Sequence, residues 1–447
     1  GKLGYKLAEL MDKENIDVTL MDLDFRTLER IKDHLDVLTV VGNGIQIGSL
    51  KELDIQSYDL LIAATDSDET NTLICTLAKK LKCKKTIARI RNPEFMDHLD
   101  FVKNEMGIDH IINPDLTTAI EIERYLLKSY NFYSDDFVKG KVSMVDFNIE
   151  NIEGFVGKRI MDIKGLEEIL ITAISRGGAL IIPDGSTKLM AYDVIHVMGE
   201  IQCIKGLGER LGISVEKRHI RKVMILGGGK IAYYLAQRLE KSNVNVIIIE
   251  EDKGRCQYLA GKLNHSVVIY GDGTDINLLE EEDLASMDAF IGATGFDEQN
   301  LLMALVAKQS GVNKTIAKIS RPNYIPIIDK LDIDIALNPI HITASDILKF
   351  IRGGKVVSVS LLLGGQGEVT EIIATDDLPI IGKPLSQLGL PKGIIIGAIF
   401  HKGQIIIPKG NSIIHKNDRI VIFSLTSDMP IFKKITSPKR GGIFSEL

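Results

Sequence analysis

Six residues, Gly227-Gly228-Gly229-Lys230-Ile231-Ala232, carry the clearest chemistry in the sequence. They stand between an apolar run, VMIL, and a helical one, AYYLAQRLE. In a G-x-G-x-x-A turn of this kind the first glycine permits a tight bend, and the second lets a pyrophosphate approach the backbone. The small third residue, Ala232, lets helix and strand pack closely. Free amides at the helix start, where Lys230 and Ile231 lie, then meet the anion, aided by the helix dipole. Alone the pattern is weak. It gains weight from Glu250, which ends the next apolar run about 20 residues on, where an acid accepts hydrogen bonds from ribose hydroxyls and repels the extra phosphate of NADP. The ligand this chemistry fits is an adenosine nucleotide, with NAD favoured over NADP.

The same chemistry is written a second time. Gly1-Lys2-Leu3-Gly4 repeats Gly229-Lys230-Ile231-Ala232, and Asp22, after VTLM, stands where Glu250 does. Nothing before Gly1 matches the apolar strand and Gly227, and a doubly wound sheet without its first strand would be left open at its centre. A strand and a glycine are therefore expected ahead of Gly1. Gly271-Asp272-Gly273-Thr274 follows the third apolar run, where the adenine end of a nucleotide would lie; its counterpart, Gly42-Asn43-Gly44-Ile45, has Asn43 in place of the acid. Ala293-Thr294 and Ala64-Thr65 close the fourth run, near a nicotinamide ribose or a further phosphate, and are small enough for close approach. Lys318 and Arg89 follow the fifth and could reach a terminal phosphate across the crevice or from a neighbouring subunit. For these two an exposed surface ion pair is an equal reading.

Catalytic groups do not follow the same duplication. A dehydrogenase needs an acid–base residue beside the nicotinamide. The nine histidines are scattered, and His401 aligns with Arg176 rather than with another histidine. No serine or cysteine lies in a nucleophile context such as G-x-S-x-G. No catalytic residue is assigned.

The elements that must position these turns follow from periodicity. In the second half VMILG, NVIIIE, SVVIYG, DAFIGAT and KTIAKIS alternate with helical segments such as AYYLAQRLEK and NLLMALVAKQ. Short apolar strands alternating with ten-residue helices predict a parallel, doubly wound α/β sheet. The repeat runs through the chain: AATDSDETN matches GATGFDEQN, ARIRNPEF matches AKISRPNY, and SRGGALIIPDG matches FHKGQIIIPKG. Strand-and-turn segments with little helix read as small mixed α/β domains. The expected order is a Rossmann-like domain over 1–130, a small domain over 138–220, a second Rossmann-like domain over 221–350 and a second small domain over 356–440. Segments 117–127 and 342–351 read as amphipathic helices joining the parts.

Composition excludes other classes. Hydrophobic residues at 45% and charged residues at 26% fit a globular protein. A net charge of -6 argues against a nucleic-acid partner. Four cysteines without a CxxC pair or paired-histidine spacing read as reduced core thiols, and no metal site is expected. No apolar run is long enough to span a bilayer. The basic tail SPKRGG (437–442) reads as a solvated terminus.

With the GxGxxG/A turn, the acid after strand two, the GDGT turn and the A-T-x-x-D-E-x-N stretch together, the sequence resembles the RCK, or KTN, domains that regulate potassium conductance. Two such domains in tandem, each with a small C-terminal domain, resemble the TrkA-type regulatory subunits of Trk potassium uptake systems. The resemblance covers nearly the whole chain; Asn43, Ala232 and the absent first strand depart from it. It implies a cytosolic protein on the inner face of the cell membrane that binds NAD(H), ATP or ADP. It also implies self-association into a dimer or tetrameric ring beneath a Trk-type integral membrane channel subunit, which the ring gates. The alternatives are an NAD-dependent oxidoreductase on the same fold, a regulator of another membrane transporter, and a scaffold with relic nucleotide sites.

Overall fold

The structure, a computed structural model, describes residues 1–96, 98–127, 134–149, 154–210, 219–321, 324, 331, 333–362 and 365–436. The tail at 437–442 lies outside the described residues.

The apolar runs of the second copy form one parallel sheet of six strands. Lys222–Leu226 lies at its centre, between Asn245–Glu250 on one side and Ala289–Gly292 on the other. Val267–Tyr270 extends one edge; Lys314–Lys318 and Ile335–Leu337 extend the other. Strands buried on both faces read as continuous apolar runs rather than alternating ones, which is why VMIL and VIII look as they do. The strand order reverses beside Lys222–Leu226, so its C-terminal end, where Gly227 stands, is the switch point at which ligands bind in open α/β sheets. The sixth strand, Ile335–Leu337, was not expected; neither was its counterpart His110–Ile112.

The first copy's strands form two separate parallel pieces: Thr19–Asp22 with Leu38–Val41, and Leu60–Ala63 with Lys85–Arg89 and His110–Ile112. Among the described residues no strand pairs between them. The Thr19 and Tyr58 hydroxyls, 2.9 Å apart, link the pieces. Helix Lys2–Lys13 turns Leu3, Leu7, Leu10 and Met11 into a core with Ile87 and Ile112.

That core is completed by the other copy. Helix Pro339–Arg352, capped by Asn338, whose side chain accepts from the Ile340 and His341 amides, packs Ala344, Ile347, Leu348 and Ile351 against Leu3, Leu7 and Leu10. Conversely, helix Pro114–Leu127 packs Ala119, Ile122, Tyr125 and Leu126 among Ile231, Tyr234 and Leu235 of helix Lys230–Lys241. Each expected connector is thus a crossing helix that begins three residues earlier than the sequence indicated and supports the opposite copy. Polar contacts fix the crossing: the Tyr234 hydroxyl accepts from Asn113 Nδ2 at 3.0 Å and donates to the Arg91 carbonyl at 3.0 Å. Arg238 Nε donates to Glu123 at 2.6 Å.

The small domains each carry a five-stranded antiparallel sheet closed by a helix, Ile201–Arg210 in one and Met429–Thr436 in the other. The two sheets pack together, burying Phe137, Val142, Met144, Ala173 and Met198 against Val369, Ala398, Val421 and Phe423. At Gly397 a Cβ would stand 2.3 Å from Met198 Sδ, so any larger residue there would force the Met198 side chain to shift. Arg352, at the end of a crossing helix, ties three parts together. Its guanidinium is buried between Glu14 of the first copy and Glu368 of the second small domain, with Nη2 2.9 Å from Glu368 Oε2. All four cysteines are free. Among the described residues no helix is long and apolar enough to cross a membrane.

Candidate functional site

At the switch point of the second copy, Gly227 has φ +93, a left-handed value that favours glycine. A Cβ there would lie 3.0 Å from the Thr294 Cα and N and 3.2 Å from the Ala293 carbonyl carbon, all backbone atoms. Ala293 and Thr294 therefore pack directly on the turn. Gly229 caps helix Lys230–Lys241 with φ -62 and ψ -171, and a Cβ there would meet nothing within 4 Å. The side of Gly229 that a pyrophosphate would need is open.

Glu250 holds the turn in shape. Its Oε2 accepts from the Gly228 amide at 2.6 Å and its Oε1 from the Asp252 amide at 2.8 Å. A carboxylate has about four lone-pair sites, so two remain for ribose hydroxyls. Arg255, which the sequence reading missed, braces the turn from behind. Its Nε donates to the Gly228 carbonyl at 2.5 Å and its Nη2 to the Gly229 carbonyl at 3.2 Å, while its guanidinium lies over the Tyr258 ring at 4.7 Å. Tying those carbonyls back leaves the amides of the helix start to the cleft. Lys230 stands at that start, whereas the Ile231 side chain is buried in the core, so only the backbone of Ile231 is available to a ligand.

Asp272 ends the third strand's turn and accepts from the Thr274 amide at 2.9 Å and hydroxyl at 2.7 Å, bonds that hold its carboxyl below the usual range. Thr294 is fixed by Asn300, whose Oδ1 accepts from the Thr294 amide at 2.9 Å and hydroxyl at 2.8 Å. Asn300 Nδ2 donates to the Lys318 carbonyl at 2.9 Å, and buried Asp297 accepts from the Ser320 and Arg321 amides. The D-E-x-N stretch thus sets the backbone at the ends of strands four and five. Its acid and amide were visible as a repeat, but that role was not.

The first copy reproduces most of this. Asp22 accepts from the Asp24 amide at 3.1 Å. A Cβ on Gly4 would meet nothing within 4 Å. Asn43 Oδ1 accepts from the Ile45 amide at 3.2 Å. Thr65, after Ala64, is held by Asn71 at 2.8 Å through its amide and 2.7 Å through its hydroxyl; Asn71 also donates to the Arg89 carbonyl. The position of Arg255 is taken by Thr27, whose hydroxyl bonds Asp24 instead.

The two clefts share a cationic region. Arg89 is 16% exposed and donates Nη1 to the Thr65 carbonyl at 3.1 Å, with Oδ1 of the exposed Asp66 3.8 Å away. Burial lowers its pKa, and Arg91 beside it lowers it further. Burial also lowers Lys318, against the pull of Asp297 and Asp115, while Lys2 of the first copy adds repulsion. Asp115 is pushed up by burial and drawn back by Arg91, Lys230, Arg89 and Lys318, cations from both copies. Arg89 Nε and Arg91 Nε are buried donors with no hydrogen-bond partner, and Asp115 Oδ2 is a buried acceptor in the same position. Unpartnered buried guanidinium nitrogens are costly unless an anion meets them, which fits a phosphate-bearing ligand at this place.

Comparison with known proteins agrees with this architecture. The TrkA-N domain family matches residues 1–114 and 223–339, and the TrkA-C domain family matches 144–212 and 369–436. The chain is 35% identical over 435 residues to Trk system potassium uptake protein TrkA homolog 1 of Methanosarcina mazei, covering 96% of each. It is 34% identical over 448 residues to Trk system potassium uptake protein TrkA of Haemophilus influenzae, covering 98% of this chain and 97% of that one. Among solved structures, the GsuK RCK domain superposes with a TM-score of 0.56 at 17% identity, covering 98% of this chain and 93% of that one. The GsuK channel bound to NAD gives 0.55 at 18%, covering 97% and 77%. These two share the fold. With both domain types present twice and relatives aligned over nearly their whole length, the chain belongs to the TrkA family of Trk system potassium uptake proteins.

Proposed function

We propose that this chain is the nucleotide-sensing regulatory subunit of a potassium uptake system, acting on the inner face of the cell membrane upon an integral membrane potassium transporter of the Trk type. It is read as four domains, 1–130, 138–220, 221–350 and 356–440, with NAD(H) as the principal ligand and ATP or ADP as further occupants. The observation that carries the reading is the turn at Gly227–Gly229. Gly227 excludes any side chain, Gly229 faces open space, and Glu250 keeps acceptor capacity beside them. In the second cleft Gly229, Lys230 and Ile231 take the pyrophosphate through their backbone, Glu250 the ribose, Asp272 the adenine end, and Ala293 and Thr294 line the far side. In the first, Gly1, Gly4, Asp22, Asn43, Ala64 and Thr65 play those parts. Arg89 and Lys318 meet terminal phosphates in the shared region, and Lys230 adds its charge there.

Nucleotides that differ in phosphate number and charge differ in how they satisfy this region. A ligand shifts a conformational equilibrium only by its differential affinity for the two states. The crossing helices give that difference a route, since each follows the last strand of one copy and packs in the core of the other. Self-association into a ring would pass it on to the transporter. The TrkA names of the relatives and the NAD bound to the GsuK channel, which shares this fold, support the reading.

The test is calorimetric titration with NAD, NADH, ATP and ADP, an assay for NADH turnover, and potassium flux through the reconstituted partner. Binding without turnover, with flux that depends on the nucleotide, is the expected result. Turnover would make the chain an oxidoreductase, and no binding of any of the four would remove the proposal.

A further inference from the structure

Strand Ile394–His401 of the second small domain ends beside the turn that leads into strand Arg419–Leu425. There the carboxylate of Asp418, only 3% exposed, meets two imidazoles. Its Oδ1 lies 2.6 Å from His401 Nδ1, and its Oδ2 lies 3.7 Å from His415 Nδ1 and accepts from the His415 amide at 2.8 Å. The two rings are 4.8 Å apart between centroids, and one ligand atom from each residue lies within 4.8 Å of the others.

The first small domain shows what the same scaffold does without imidazoles. Asp193 occupies the place of Asp418 and likewise accepts a backbone amide, that of Met190, at 2.8 Å. Its charge is met by Arg176, in the place of His401, through two parallel bonds of 2.8 and 2.7 Å. A buried carboxylate needs a cation. The first copy supplies a guanidinium; the second has replaced guanidinium and thioether with two groups that bind metals when neutral.

We infer that His401, His415 and Asp418 form a binding site for a divalent transition-metal ion of the zinc class. Two imidazoles and a carboxylate are a borderline donor set that favours such ions over calcium or magnesium. Three protein ligands leave a coordination position for water. Donors held at about 2.0–2.1 Å from zinc lie roughly 3.3 Å apart in a tetrahedron. His401 and Asp418 must therefore separate slightly as the metal displaces their proton, and His415 must move in. His415 is 56% exposed, so its ring is free to turn and gives the ion a path from solvent. Comparing histidines only with histidines hid the site in the sequence, because its partner in the repeat is an arginine.

The test uses the full chain without an affinity tag, made metal-free and titrated with Zn2+ by calorimetry and with Co2+ by visible absorption. The wild type should bind one equivalent with a tetrahedral Co2+ spectrum. A double variant, His401→Arg with His415→Met, recreates the first-copy arrangement and should fold, as its nucleotide binding and melting temperature will report. It should lose that equivalent, with affinity down by more than about 100-fold, since even outer partners of metal ligands are worth 10–100-fold. Should the double variant fail to fold, His415→Gln at the exposed ring gives the same reading. No stoichiometric uptake by the wild type, or uptake kept by the variants, overturns the inference.

Discussion

Replacing the two outer glycines of the second turn by alanine, one at a time, separates folding from binding. At Gly227 the φ of +93 strains any L residue, and the new Cβ would sit 3.0 Å from the backbone of Thr294, which cannot yield as a flexible side chain can. Such strain costs about 1–3 kcal/mol, and a unit of this size loses roughly 2–4 °C of melting temperature per kcal/mol. Gly227→Ala should therefore lower the melting temperature by several degrees and impair binding with it. At Gly229 the backbone angles are open to alanine and the Cβ meets nothing within 4 Å. Gly229→Ala should leave stability unchanged or raise it by about 0.4–1 kcal/mol through the unfolded chain. Yet that Cβ occupies the side from which a pyrophosphate would reach the amides. Losing one charge-assisted bond of about 1.5–3 kcal/mol weakens NADH binding roughly 10–100-fold. Scanning fluorimetry and calorimetry on both variants read the two effects. Wild-type affinity in a folded Gly229→Ala protein would refute the placement of the pyrophosphate, and an unchanged melting temperature for Gly227→Ala would refute the close approach.

Other outcomes follow from the same geometry. Glu250→Ala should weaken NAD(H) binding about tenfold or more at the second cleft, while Asp22→Ala should alter only the first; two-site calorimetric fits distinguish them. Arg352→Met leaves Glu14 and Glu368 as buried carboxylates without their shared partner, and should destabilise the chain by about 3–5 kcal/mol in urea unfolding. His341, facing Lys6 and Glu9, is pushed down to about 4 by burial. As pH falls from 6.5 the unfolded chain takes up a proton that the folded chain refuses, so stability drops by up to about 1.4 kcal/mol per pH unit until pH 4. His341→Gln should flatten that part of the pH–stability profile.

What the sequence could reveal depended on how few residues can do each job. The turn at Gly227 was legible because a left-handed angle against a neighbouring backbone leaves only glycine. The central strands were legible because burial on both faces demands unbroken apolar runs. Ile335–Leu337 was not, since three residues paired along one side need no distinctive pattern. Arg255 was hidden because an arginine on a helix looks like solvated surface until the carbonyls it ties down are placed. The crossing of Pro114–Leu127 and Pro339–Arg352 was equally hidden: an apolar helix face requires a partner but does not say whose. The matched spacing of Asp68 with Asn71 and Asp297 with Asn300 was plain, but their role in holding strand ends emerged only with the hydrogen bonds.

The exchange of crossing helices also bears on how the two halves can diverge. In two-chain assemblies built this way, like pairs with like and every cleft is the same. Here both partners are one polypeptide, so the chain is in effect an obligate heterodimer with its stoichiometry fixed at synthesis. Each half meets the other at the effective concentration of a tether rather than by diffusion. Substitutions such as Thr27 opposite Arg255, or Arg176 opposite His401, can therefore accumulate on one side alone, and a duplicated fold can come to hold two different sites in a constant one-to-one ratio.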